Sequence, residues 1–213
     1  MKKVIQMHIK VRWLVCLFCM VLFSILLKEV SERGILKIDE VVYKFISTYF
    51  IRDNTIPVAK AVTWFGSFWA VIFVTFLIVI FSKNWKLGII IITNAVITSI
   101  LNRILKNIIQ RPRPNGFRLI EESGYSFPSA HAMTGFAFYG LLIFIIYKVV
   151  KTLWLQRLST IILSLLIISV GMSRVFLGVH YTSDVLAGYL VSLTHLIIFI
   201  SLIEKKLGDN IPY

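Results

Sequence analysis

Thr63 to Ser82 reads TWFGSFWAVIFVTFLIVIFS, an apolar run with no charged side chain. At 1.5 Å per residue a helix over such a run is about 30 Å long, the thickness of a bilayer's hydrocarbon core. Five further runs have similar character: roughly 12–28, 87–105, 129–150, 153–172 and 184–203, with Asn94 and Asn102 interrupting the third span in chain order. The expected fold is all-α: a polytopic membrane protein with six transmembrane helices. Residues 1–213 read as one integral-membrane domain, with no internal repeat, no low-complexity segment and no soluble module attached.

Composition agrees. Hydrophobic residues make up 58 % of the chain, and the mean hydropathy of +0.84 is not that of a water-soluble domain. The formal net charge of +13 would suit nucleic-acid binding if the bases formed a patch. They are instead scattered at the edges of the spans, so the expected partner is the bilayer, with no nucleic acid and no obligate protein partner. If the first span starts inside, a bare Lys/Arg count gives eleven on that side and twelve on the other. The first side's short loops and N-terminal segment are basic and nearly free of acids, whereas the second side carries eight of the ten acids. The positive-inside rule weighs short loops most, which places both termini in the cytoplasm.

The basic flank of the first run invites comparison with a signal peptide, but KEVSERG follows Leu27 and offers no small-residue cleavage site. The run reads as an uncleaved span. Cys16 and Cys19 form a CxxC inside it, without the context of a redox fold, and read as small apolar filler. Between the first two spans, Ile38, Val41, Val42, Phe45, Ile46 and Tyr49 recur at helical spacing while Asp39, Glu40 and Lys44 face away. That pattern predicts an interfacial amphipathic helix, or a helix packed on the bundle.

Three clusters carry chemistry. KNIIQRPRP, Lys106 to Pro114, closes the third span, and its prolines stop the helix. Lys106 on the helix end and Arg113 in the loop can converge on a phosphate, one as a point charge and the other as a fork. Taken alone, the cluster reads first as flanking bases snorkelling to headgroups. FPSAH, Phe127 to His131, opens the fourth span with Ser129 as a helix cap. Ser129 and the Ala130 N–H can then hold phosphate oxygens at a helix N-terminus. His131, beside that anion, suits a general acid. SRVFLGVHYTSD, Ser173 to Asp184, adds the cation Arg174, and it sets a carboxylate four residues after His180. On a helical turn the two share a face, so Asp184 can fix the imidazole of a nucleophilic His180. Under the six-span topology all three clusters fall on one membrane face, the extracytoplasmic one.

In that order KxxxxxxRP, PSxH and SRxxxxxHxxxD resemble the signature of the type-2 phosphatidic acid phosphatase superfamily, which also holds glucose-6-phosphatase and vanadium haloperoxidases. Within it the chain looks most like the small bacterial six-span lipid phosphatases. The motifs run from Lys106 to Asp184, and the hydropathy extends the likeness to nearly the whole chain. The resemblance implies His180 as nucleophile, Asp184 as its partner and His131 as acid for the leaving group. It implies Lys106, Arg113, Ser129 and Arg174 as phosphate ligands. One departure is Ala130, where the family usually has glycine; the N–H donor survives that change.

The expected activity is a two-step hydrolysis through a phosphohistidine, with no cofactor and no metal, the bases themselves supplying positive charge. Phosphatidylglycerophosphate is the first substrate expectation, with phosphatidate also eligible and undecaprenyl diphosphate second. Glu121 and Glu122 read as a solvated loop face, and His8 and His195 as structural. The rival classes are a transporter, a haloperoxidase and a lipid phosphotransferase. A transporter should line a path through the bundle rather than one face. The six spans argue against a soluble oxidase, and a phosphotransferase would differ only in its acceptor.

Overall fold

The computed structural model describes residues 2–116 and 118–207, with side chains described from Lys10 to Lys205 apart from Phe117. His8 therefore lies outside the described side chains. Among the described residues eight helices follow one another: α1 Lys2–Arg33, α2 Lys37–Tyr49, α3 Ile56–Trp64, α4 Phe68–Ser82, α5 Trp85–Ile109, α6 Ala130–Val149, α7 Leu153–Phe176 and α8 Thr182–Leu207. No strand occurs among the described residues. Five helical stretches among the described residues are long and apolar enough to cross a membrane, and the bent pair α3–α4 makes a sixth span when counted as one.

That bent pair corrects the expectation of a continuous helix over 63–82. The chain turns by 58° between α3 and α4. Gly66 sits at the break because a side chain does not fit there: a Cβ would stand 2.4 Å from Val170 Cγ1 and 3.1 Å from the His131 carbonyl. Ser67 then restarts the helix, its hydroxyl accepting from the Ala70 N–H at 3.1 Å. The other terminators follow their sequence signals. Gln110 ends α5 in the left-handed region at φ 52°, just ahead of the Pro112 and Pro114 breaks.

Helix α6 lies at the centre, packed on α5, α7 and α8, while α1 covers α8 and α4 covers α5. The main core joins Val71, Ile91, Phe138, Leu141, Ile167 and Leu196. The two asparagines that interrupt the third span are interhelical ties. Asn94 Nδ2 donates to the Ala137 carbonyl at 2.9 Å, with His195 Nε2 3.0 Å from Asn94 Oδ1. Asn102 Nδ2 donates to the Pro128 carbonyl at 3.0 Å. In a medium without competing water each tie fixes helix register. Cys16 and Cys19 are buried free thiols on α1.

Helix α2 is both packed and exposed. Ile46 and Val42 pack against Ala132, Val175 and Val185, whereas Ile38, Val41, Phe45 and Tyr49 remain exposed. Asp39 corrects the expected polar face: its side chain is buried against Arg111 rather than turned to solvent.

Candidate active site

Four helix ends converge at one end of the bundle: the C-termini of α5 and α7 and the N-termini of α6 and α8. They carry Lys106, Arg174, His131 and Asp184. Two close approaches set the spacing. The Ser129 N–H donates to the Asp184 carbonyl at 3.0 Å, and a Cβ on Gly188 would come within 3.1 Å of the Ser129 carbonyl. The 110–129 loop folds over this end, pinned where Ser126 N–H donates to the Arg111 carbonyl and its hydroxyl to that of Pro112.

His180 follows a tight turn at Gly178, whose φ of 71° favours glycine. Its Nδ1 lies 3.3 Å from Asp184 Oδ2, which also accepts from the Tyr181 N–H at 2.9 Å. An Nδ1–H donated to that carboxylate leaves Nε2 with a free lone pair, and Nε2 lies 3.2 Å from Arg113 Nη1. Burial is the largest influence on the imidazole; opposed by Asp184 but reinforced by Arg113 and Arg174, it pushes the pKa down to about 4. The ring is therefore neutral at pH 7, as a nucleophile must be.

Arg113 is held by carbonyls: Nη1 donates to Val179 at 2.9 Å, Nε to Gly124 at 3.0 Å and Nη2 to Ser123 at 3.0 Å. Lys106 Nζ donates to the Tyr125 carbonyl. Arg174 donates through Nη1 to Thr63 Oγ1 at 2.8 Å and through Nη2 to Glu122, and its buried Nε has no partner among the described residues. Glu122 is no free loop carboxylate, contrary to the solvated reading, because it also lies 3.7 Å from Arg113. Burial works to raise its pKa, yet Arg174, by charge and hydrogen bond, with Arg113 and His180, holds it below the usual carboxylate range.

Of the eight residues singled out by sequence, Lys106, Arg113, Ala130, His131 and His180 line one cavity of about 750 Å³, together with Gly66, Arg103 and Glu122. Asp184 stands behind His180, and Arg174 is 1 % exposed. Ser129 is fully buried, its hydroxyl capping α6 by accepting from the Ala132 N–H at 3.5 Å, and it does not front the cavity.

Sequence reasoning missed Arg111, Asp39 and Ser183. Arg111 donates through Nη1 to Asp184 Oδ1 at 2.5 Å and through Nη2 to Asp39 Oδ2 at 2.9 Å. Ser183 donates to Asp39 through both its N–H and its hydroxyl at 2.8 Å. Arg111 stands inside the first cluster and was visible there, but nothing in the sequence tells a flanking cation from one turned inward.

A helical bundle that gathers these groups at one end defines a class. The PAP2 superfamily pattern matches residues 83–207, more than half of the chain, and the chain belongs to that superfamily. Phosphatidylglycerophosphatase B of Bacillus subtilis (strain 168) is 34 % identical over 114 residues, covering 53 % of this chain and 56 % of that protein. Undecaprenyl-diphosphatase of Sulfolobus acidocaldarius is 32 % identical over 127 residues, covering 55 % and 56 %. In both cases the match spans little more than half of the relative's length. The crystal structure of a transmembrane PAP2 type phosphatidylglycerolphosphate phosphatase from Bacillus subtilis superposes with a TM-score of 0.81 at 26 % identity, covering 90 % of this chain and 96 % of that one. The chain is an integral membrane protein with the same fold.

Proposed function

We propose that the chain is a membrane lipid phosphatase that hydrolyses a headgroup phosphate through a phosphohistidine. The observation that carries this reading is His180, with Nδ1 against the Asp184 carboxylate and Nε2 beside Arg113 in a cavity shared with His131 and Lys106. His180 Nε2 attacks phosphorus in line, forming an N–P bond as the P–O bond to the lipid breaks. His131 gives a proton to the departing oxygen. It then takes a proton from the water that attacks the phosphohistidine, releasing inorganic phosphate and neutral His180. Lys106, Arg113 and Arg174 offset charge on the equatorial oxygens, and N–H groups at the α6 N-terminus, Ala130 among them, add donors.

Phosphatidylglycerophosphate is the preferred substrate in this reading, supported by the likeness to the Bacillus phosphatase. Undecaprenyl diphosphate is the second, favoured by comparable identity to a relative named for that activity. The termini face the cytoplasm and the cavity opens outward. In a variant with Cys16 and Cys19 replaced by alanine, a membrane-impermeant maleimide should label Asn115→Cys in intact cells and Lys151→Cys only after permeabilisation. The opposite labelling would invert the topology.

The deciding experiment is phosphate release by purified protein in detergent with EDTA present, beside His180→Ala, on phosphatidylglycerophosphate, phosphatidate and undecaprenyl diphosphate. Release that resists EDTA and is lost in the variant is the expected result. Release that needs metal, or survives in His180→Ala, would sink the mechanism.

A further inference from the structure

One buried guanidinium stands between two buried carboxylates. The side chains of Asp39, Arg111 and Asp184 are 1 %, 3 % and 0 % exposed. The three come from three separate segments: the first turn of α2, the loop after α5 and the first turn of α8. Arg111 reaches further still, since Nε and Nη2 both donate to the Gly34 carbonyl, at 3.1 and 2.6 Å, in the turn between α1 and α2. Its plane lies over the Tyr181 ring, 4.0 Å from the centroid.

The division of labour on Asp184 gives this arrangement its meaning. Oδ2 faces His180 Nδ1 and the Tyr181 N–H, while Oδ1 is taken by Arg111. A carboxylate rotates about its Cβ–Cγ bond unless both oxygens are held, and a rotated Asp184 no longer accepts from Nδ1–H. Nothing else that is described donates a side-chain hydrogen bond to Oδ1. Arg111 is in turn aimed by Asp39, which also accepts from the Ser183 N–H and hydroxyl and so fixes the turn that precedes Asp184. A buried ion pair of this kind is weak evidence for stability, because desolvation offsets much of the attraction. Its geometric consequence is stronger: a fork needs both of its partners in one plane.

We infer that Arg111 and Asp39 are positioning residues, and that a buried relay from the interfacial helix α2 through Arg111 holds Asp184 in the rotamer that orients His180. The inference rests on the phosphatase reading above. Neither residue lines the cavity that holds His131 and Lys106; Asp39 edges a separate, smaller pocket that reaches His180 and Tyr181, and the relay acts on the nucleophile. It gives α2 a catalytic duty: its seating on the bundle is transmitted to the imidazole.

The test uses the full chain in detergent micelles, with farnesyl diphosphate and phosphatidate as substrates. Wild type, His180→Ala, Asp39→Asn, Arg111→Gln and Arg111→Lys are compared by kcat, KM and melting temperature. Asp39→Asn keeps the shape and removes the charge that aims Arg111; kcat should fall about tenfold with KM within about twofold. Arg111→Gln should fall about a hundredfold or more. Arg111→Lys should stay at least about tenfold below wild type, because a point charge cannot span Gly34, Asp39, Ser183 and Asp184. A merely structural pair would lower the melting temperature and yield while leaving kcat per folded molecule unchanged, and that result overturns the inference. So does a change in KM alone, or full activity in Arg111→Lys. If Arg111→Gln does not fold, the isosteric Asp39→Asn still decides. Wild type as inactive as His180→Ala would bring down the phosphatase reading and the relay with it. An active wild type with Asp39→Asn equally fast would bring down the relay alone.

Discussion

Glu122 reaches from the 110–129 loop to the guanidinium of Arg174, and its second oxygen lies 3.7 Å from Arg113. A carboxylate thus already rests on two of the three cations proposed to hold phosphate. An arriving phosphate must share those cations with it or displace it. Glu122→Gln should therefore tighten inhibition by inorganic phosphate. The carboxylate is 29 % exposed, so the gain is that of a partly screened pair, roughly 1 kcal/mol or about fivefold in Ki. Phosphate inhibition measured against a fixed lipid substrate checks this. A Ki that rises would instead make Glu122 a support for Arg174.

His131 has a role that depends on the leaving group. An alkoxide leaving from a monoester needs a proton, whereas a phosphate leaving from a diphosphate departs as a stable anion. General acid catalysis contributes about 10²–10⁴-fold where it is needed. His131→Ala should lose about a hundredfold or more on farnesyl monophosphate, and at least about tenfold less than that on farnesyl diphosphate. Equal losses on this matched pair would remove His131 from the proton transfer.

The His180 imidazole, with its pKa pushed down to about 4, should stay neutral through the whole physiological range. The sign for stability follows. Below about pH 6.5 an unfolded chain takes up a proton that the folded protein refuses, so His180 disfavours folding increasingly as pH falls towards 4 and adds nothing further below that. Carbon-13 NMR of histidine-labelled protein, with His180 assigned by its loss in His180→Ala, reads the titration directly. A midpoint near 6.5 would contradict the burial seen here.

How much of this was legible beforehand depended on whether a residue's partner was local. The spans were legible because a bilayer demands long apolar runs. The cluster of Lys106, Arg113, His131 and His180 was legible because alternating spans bring its motifs to one face. The ordering of Asp184 behind His180 needed only the i, i+4 spacing on a helical start. Asp39 was not legible: on a helical wheel it shares the polar side with Glu40 and Lys44, and only the fold shows that Arg111 lies against it. Glu122 failed for the same reason, since its partner Arg174 is fifty-two residues away. Ser129 was read as a phosphate ligand from a capping signal, and in the structure its hydroxyl serves the cap.

The break at Gly66 was equally hidden, because glycine is common inside transmembrane helices and the run around it carries no charge. Its consequence for the site is testable. A Cβ at Gly66 would meet Val170 Cγ1 at 2.4 Å, and His131 through its carbonyl at 3.1 Å and its Cβ at 3.2 Å. The branched Val170 side chain is fully buried on α7 and has little room to yield. Gly135 faces the same valine, but there an added Cβ would sit at 3.4 Å, an ordinary contact. Gly66→Ala should therefore lower stability by about 1–3 kcal/mol, the usual range for overpacking, and push His131 off its place in the cavity. Gly135→Ala should stay close to wild type in both respects. The double variant Gly66→Ala, Val170→Ala removes the opposing methyls and should recover most of the lost kcat. Thermal unfolding in detergent alongside phosphate release measures both effects. If relieving Val170 recovers stability but not activity, the added methyl acts on His131 itself; if it recovers neither, the close approach is not what bends the span.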